Sequence, residues 1–116
     1  MDIKLLAVSV GKPSALGIWQ DEEVISGIKK TPLSIASVAV GETNIAGDGQ
    51  ADLTVHGGPD KAIYIYAADH WPWWESEAKF TGRPASFGEN LTIEGADEHT
   101  IRIGDRFQWG RVVLEV

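Results

Sequence analysis

The sequence predicts a mainly β fold of the α+β kind with one main helix, at about residues 68–79. Short β-branched and aliphatic runs separated by glycine, proline and charged turns fill most of the chain. No helical period occurs in the first forty residues, and a capped helical pattern occurs once, after Ala68. With 116 residues, no internal repeat and no low-complexity stretch, residues 1–116 read as a single domain able to bury a core of its own.

In chain order, Ile3 to Val10 is a first strand, closed by the turn Gly11-Lys12-Pro13-Ser14. Ala15 to Gln20, the polar turn Asp21-Glu22-Glu23 and Val24 to Ile28 read as a hairpin carrying Trp19. Lys29-Lys30-Thr31-Pro32 interrupts, and Leu33 to Val40 alternates as a further strand. Ala62 to Tyr66 is a strand with Tyr64 and Tyr66 on one face and Ile63 and Ile65 on the other. In the helix, Asp69 can cap, Pro72 is tolerated in the first turn, and Glu75 and Lys79 stand at pairing distance. Trp71, Trp74 and Ala78 share one face, so the helix tryptophans read as core. Leu91 to Glu94 is a strand, Gly95 to His99 a polar turn, and Ile101 and Ile103 a short strand face. The last hairpin has a definite register: a two-residue type II′ loop at Gly110-Arg111 pairs Trp109 with Val112 and Phe107 with Leu114.

Composition excludes several function classes. A formal charge of −7 with scattered lysines and arginines argues against a nucleic-acid polymer as partner. No apolar run reaches the length of a membrane span, and Met1-Asp2-Ile3-Lys4 lacks the order of a signal peptide, so the expected location is cytoplasmic. The absence of cysteine removes disulfides, thiol nucleophiles and thiolate metal sites from this chain.

Two glycine-bearing turns carry the chemistry. In His56-Gly57-Gly58-Pro59-Asp60-Lys61 the glycines free backbone N–H groups to face an anion, Pro59 stiffens the turn, and the three ionisable side chains supply an acid/base group, an acceptor and a cation. A turn in which Asp60 and His56 only satisfy backbone donors is the alternative. In Phe87-Gly88-Glu89-Asn90-Leu91, Gly88 permits close backbone approach, and the Asn90 amide can read a heterocycle edge or hold a loop. Gly47-Asp48-Gly49-Gln50-Ala51-Asp52 is too polar for a core strand and reads as a first wall of the same site. A metal site of His56, Asp60 and His70 has no common ligand spacing, and no metal ligands are assigned.

Ser26-Gly27-Ile28, Gly47 to Leu53, His56 to Lys61, Tyr64-Ile65-Tyr66, Phe87 to Leu91 and Ile103-Gly104-Asp105-Arg106-Phe107 follow one another as in the MOSC domain. That domain is named for the C-terminal domain of molybdenum cofactor sulfurases, and the chain resembles in particular the bacterial 6-N-hydroxylaminopurine-resistance proteins. The resemblance implies a MOSC-like β-barrel and a molybdenum cofactor (molybdopterin), with pyridoxal phosphate a further ligand to consider. It implies reductive removal of oxygen from N-hydroxylated bases or amidoximes, with a redox partner, or else sulfur handling. By motif position it places Gly57, Gly58, Asp60, Lys61, Gly88, Glu89 and Asn90 around the cofactor and makes His56 the candidate proton donor.

The family's metal-binding cysteine lies just beyond a strand equivalent to Val112 to Val116, and this chain has none. The resemblance therefore implies that the C-terminal part of the family fold is missing, which puts catalysis in doubt. A non-catalytic small-molecule binder, or an interaction module using Trp19 and Trp73, are the alternatives. The apolar Val112, Leu114 and Val116 face leaves an edge expected to recruit a second copy, giving a homodimer.

Overall fold

The computed structural model of the protein describes residues 2–34, 37–51 and 57–116. Its main sheet has four strands in the order β4-β1-β6-β5: β1 (Lys4–Val10), β4 (Thr31–Pro32), β5 (Ile65–Ala67) and β6 (Leu91–Glu94). β1 is antiparallel to β4 and to β6, with a bulge between Leu5 and Ala7, and β5 is parallel to β6. A parallel pair cannot be joined by a tight turn and needs a crossover of a dozen or more residues. The chain from Ala68 to Asn90 supplies it, through a 3₁₀ turn (Ala68–His70), the helix α1 (Trp71–Ala78) and a long loop. β6 is the central strand, with Leu91, Thr92 and Ile93 all buried, and the core gathers on it as Ile45, Ala67, Leu91, Ile93 and Ala96. No helix among the described residues is long and apolar enough to cross a membrane.

Two hairpins flank this sheet. β2 (Ser14–Trp19) pairs with β3 (Glu22–Ser26), and β7 (Arg106–Trp109) pairs with β8 (Val112–Glu115). The second has the predicted register, Trp109 opposite Val112 and Phe107 opposite Leu114. Gly110 alone takes the positive φ (60°) that a type II′ loop asks of its first residue. In the first hairpin the turn is tighter than predicted: Gln20 and Asp21 both take positive φ, 51° and 63°, so Glu22 and Glu23 already belong to β3.

The predicted predominance of strand with one main helix is what forms, but the barrel is not. Closure requires each strand to be hydrogen-bonded on both edges, and the described strands fall into one four-stranded and two two-stranded sheets. The strand over Leu33 to Val40 also needs correction. Thr31 and Pro32 pair with Val10 and Ser9, Leu33 N–H donates to the Val8 carbonyl at 2.7 Å, and Val40 makes an isolated bridge to Ile45. Pro32 is acceptable there because β4 is an edge strand, which needs no donor on its outer side. Ile35 and Ala36 lie outside the described residues. The strand expected at Ala62 to Tyr66 begins three residues later and ends one later, at Ile65–Ala67, and Ile101 and Ile103 form none; Ile103 is 95 % exposed.

The helix keeps Pro72 in its first turn, but Asp69 does not cap it. Both Asp69 carboxylate oxygens instead accept the Gly95 N–H, at 3.1 and 3.3 Å, tying the crossover to the end of β6. Lys79 leaves the helix in the left-handed conformation (φ 51°), its N–H returning to the Glu75 carbonyl, and no Glu75–Lys79 ion pair occurs among the described residues. Trp71 and Trp74 are half-buried on the inward face, as predicted, whereas Trp73 points to solvent.

Candidate functional site

The two predicted turns are joined through Asn90, at the start of β6. Its Oδ1 accepts the Tyr64 N–H (3.0 Å), its Nδ2 donates to the Ser9 carbonyl (3.1 Å), and its backbone N–H donates to the Tyr64 carbonyl (2.8 Å). One buried amide thus stitches β1 to the chain entering β5, three residues after Lys61. A buried amide left without such partners would be costly, which is why a residue with both donor and acceptor stands here.

Glu89 is fully buried beside it. Its Oε1 accepts the Phe87 N–H (3.0 Å), and its Oε2 accepts the Ala85 N–H (3.2 Å) and the Thr92 hydroxyl (2.9 Å). Three donors on one buried carboxyl group satisfy the acceptors that burial takes from water. Glu89 also holds Ala85 at a φ of 68°, which a side-chain-bearing residue adopts at a cost. Gly88 (φ 76°) closes the loop, where a Cβ would come within 2.5 Å of the Ile28 side chain. Phe87 stacks on Tyr66 at 4.2 Å between ring centres, and Tyr66 accepts the Trp74 indole N–H at 2.7 Å, so α1 braces the loop from outside.

The other turn is open. Gly57 and Gly58 both have φ 79°, a Cβ on Gly58 would meet nothing within 4 Å, and Pro59–Lys61 forms a single 3₁₀ turn with Asp60 and Lys61 exposed. Glycines at positive φ leave the backbone N–H groups of such a turn unencumbered by a Cβ, which lets an anion approach. His56 lies outside the described residues. Pro59, Asp60 and Tyr64 line one side of a half-open cleft of ≈ 1060 Å³, whose other side is the apolar face of the β7–β8 hairpin, Phe107, Trp109 and Leu114. Burial foremost, then the Glu89 charge and then Tyr66 hold the Tyr64 hydroxyl above the ordinary tyrosine range, so it meets the cleft as a neutral donor.

Sequence reasoning missed the partners of the third motif. Asp48 is buried; its Oδ1 accepts Lys30 Nζ (2.6 Å) and the Gly11 N–H (3.0 Å), while its carbonyl accepts Lys12 Nζ (2.9 Å). Backbones cross closely here: a Cβ on Gly27 would lie 2.3 Å from the Gly49 carbonyl oxygen. The clue was available in the glycines flanking Asp48, but its two lysines stand 18 and 36 residues away.

This architecture agrees with the family model that the chain matches: the MOSC domain, over residues 52–116. The chain belongs to the MOSC domain family, which is linked with the molybdenum cofactor. It is 44 % identical over 115 residues to the uncharacterized protein YflK of Bacillus subtilis (strain 168), covering 97 % of this chain and 50 % of YflK. It is 33 % identical over 120 residues to a protein named reductase from Gibberella moniliformis (strain M3125 / FGSC 7600), covering 97 % of this chain and 20 % of that one. The crystal structure of YiiM from Geobacillus stearothermophilus superposes with a TM-score of 0.70 at 27 % identity, over 99 % of this chain and 50 % of YiiM. The chain therefore spans half the length of YflK and of that YiiM, and a fifth of the reductase.

The donors present fit one end of a molybdenum cofactor and not the other. Backbone N–H groups at the positive-φ pair Gly57 and Gly58, with a lysine three residues on, are donor types that suit a phosphate. For the metal, these 116 residues offer no thiolate, and the Glu89 carboxylate is already taken by three donors.

Proposed function

We propose that this chain is a MOSC-type cofactor-binding domain related to reductases of N-hydroxylated bases, with its open glycine turn at the phosphate end of molybdopterin. Gly57 and Gly58 supply N–H donors, Lys61 the cation and Asp60 an acceptor. Gly88, Glu89 and Asn90 position that turn from beneath, and His56 is the candidate proton donor to a departing oxygen. When bound, the cofactor supplies the redox chemistry; any thiolate to its metal comes from outside these 116 residues. The observation that carries the reading is the Asn90 stitch, which seats the family's second motif directly against the chain leaving its first.

The test is uptake. Purified protein is incubated with molybdopterin released from a carrier, and bound pterin is read by fluorescence after gel filtration. Uptake that falls about tenfold or more in Lys61→Ala, as expected for losing a charged partner, supports the reading. No uptake by the unsubstituted protein removes it.

A second reading concerns association. Among the described residues the β7–β8 sheet has no further strand on either edge, and Ile103, Val113 and Val116 beside it are exposed. Such an edge recruits another strand, giving a homodimer. A monomer by light scattering at high micromolar concentration counts against it.

A further inference from the structure

At the cleft, three side chains converge that the cofactor reading does not use. His70 comes from the 3₁₀ turn after β5, and Asp97 and Glu98 come from the turn after β6. One ligand atom from each lies within 4.8 Å of the others, and His70 Nε2 is 2.8 Å from Glu98 Oε2. All three side chains border the cleft.

We propose that His70, Asp97 and Glu98 bind a divalent transition-metal ion of the Zn²⁺ type. One imidazole and two carboxylates form a borderline donor set that such ions prefer over Mg²⁺ or Ca²⁺, which favour all-oxygen sites. Metal–ligand bonds of about 2.1 Å set ligand atoms roughly 3.4 Å apart in a tetrahedral site, so the His70–Glu98 pair, now at 2.8 Å, must open to admit an ion. Glu98 can make that move. Its side chain is 64 % exposed, and the contact it would give up is an exposed pair with His70, which contributes little. The other two ligands are better fixed. Asp97 is anchored because its Oδ1 accepts the His99 N–H (2.8 Å) and its carbonyl accepts the Thr100 and Ile101 N–H groups, leaving Oδ2 for an ion. The His70 ring rests 5.7 Å from the ring of Tyr66, which the crossover holds in place. Three protein ligands leave a coordination position facing the cleft, open to water or a small anionic ligand.

Titration calorimetry with Zn²⁺ alone, on protein freed of metal with chelator, tests the site. One saturable site per chain is expected, weakened about tenfold or more in Glu98→Gln and in His70→Ala, and little changed in His99→Ala. Glu98→Gln alters an exposed side chain and keeps the fold, so a loss there reads the site and not stability. Asp97→Asn keeps the acceptor for His99 and should weaken binding similarly. Absence of saturable binding up to about millimolar Zn²⁺, or binding indifferent to Glu98→Gln and His70→Ala, overturns the proposal. Pterin uptake does not enter the readout, so the outcome is independent of the cofactor reading.

Discussion

The two glycine turns differ in where their polar groups go. In the 83–90 loop every named carboxylate and amide atom turns inward: Glu89 gathers three donors and Asn90 bridges two strands. In the 57–61 turn the glycines face open space and the charged side chains are exposed. Two turns of similar composition are thus placed differently, one with its carboxylate and amide buried in the fold and the other with its charged side chains at the surface. Glycine content does not separate the two uses; burial of the neighbouring carboxylate does.

The largest break in this contrast comes at Glu89. Replacing it with Ala leaves the Ala85 and Phe87 N–H groups and the Thr92 hydroxyl without an acceptor in a dry site, and should cost about 3 kcal/mol or more in urea unfolding. A loss under about 1 kcal/mol would mean that water reaches the loop and the contrast is false. Next come the paired glycines. Gly88→Ala meets both a positive φ and the Ile28 side chain, whereas Gly58→Ala meets a positive φ alone. The first should lower stability by about 2–3 kcal/mol and the second by about 1–2 kcal/mol. Equal melting-temperature shifts would show that the steric difference does not matter.

The smallest effect is a titration. Tyr64 and Tyr66 are the two tyrosines, so in Tyr66→Phe the phenolate absorbance reports Tyr64 alone. It should ionise above the ordinary tyrosine value, because burial and the Glu89 charge oppose a phenolate. As pH rises, the unfolded chain loses this proton first. The contribution to stability is therefore present at neutral pH and is lost as pH climbs through the folded-state value. Ionisation at or below the ordinary value would show that Tyr64 is better solvated than its position implies.

Much of the fold was readable from local pattern. β1, β6 and the β7–β8 hairpin follow from alternation and one glycine turn, and Pro72 marks the start of α1. What could not be read depends on partners distant in the chain. The alternation at Ile101 and Ile103 promised a strand, but among the described residues no neighbour offers a ladder there. Asp69 looked like a cap until Gly95, 26 residues on, supplied a donor for it. At the candidate site the order of motifs was enough to reach the family. Which atoms face inward was not readable, because the bonds from Asn90 to Tyr64 and Ser9 span 26 and 81 residues and leave no local trace. The same distance hid the His70, Asp97 and Glu98 group, since nothing in their spacing marks them as neighbours.

The position of β1 has a consequence for how the chain is made. Of the described strands it is the first in chain order, yet one of its neighbours is β6, which is not complete until Glu94 has emerged. Among the described strands, its other neighbour, the two-residue β4, is on hand earlier. Throughout that interval an aliphatic segment waits without its principal mate, while the crossover carrying α1 has yet to dock. Folding of this sheet during synthesis is therefore governed by its longest-range pairing, and nascent chains that have not yet reached Glu94 should be the ones that engage chaperones or clump.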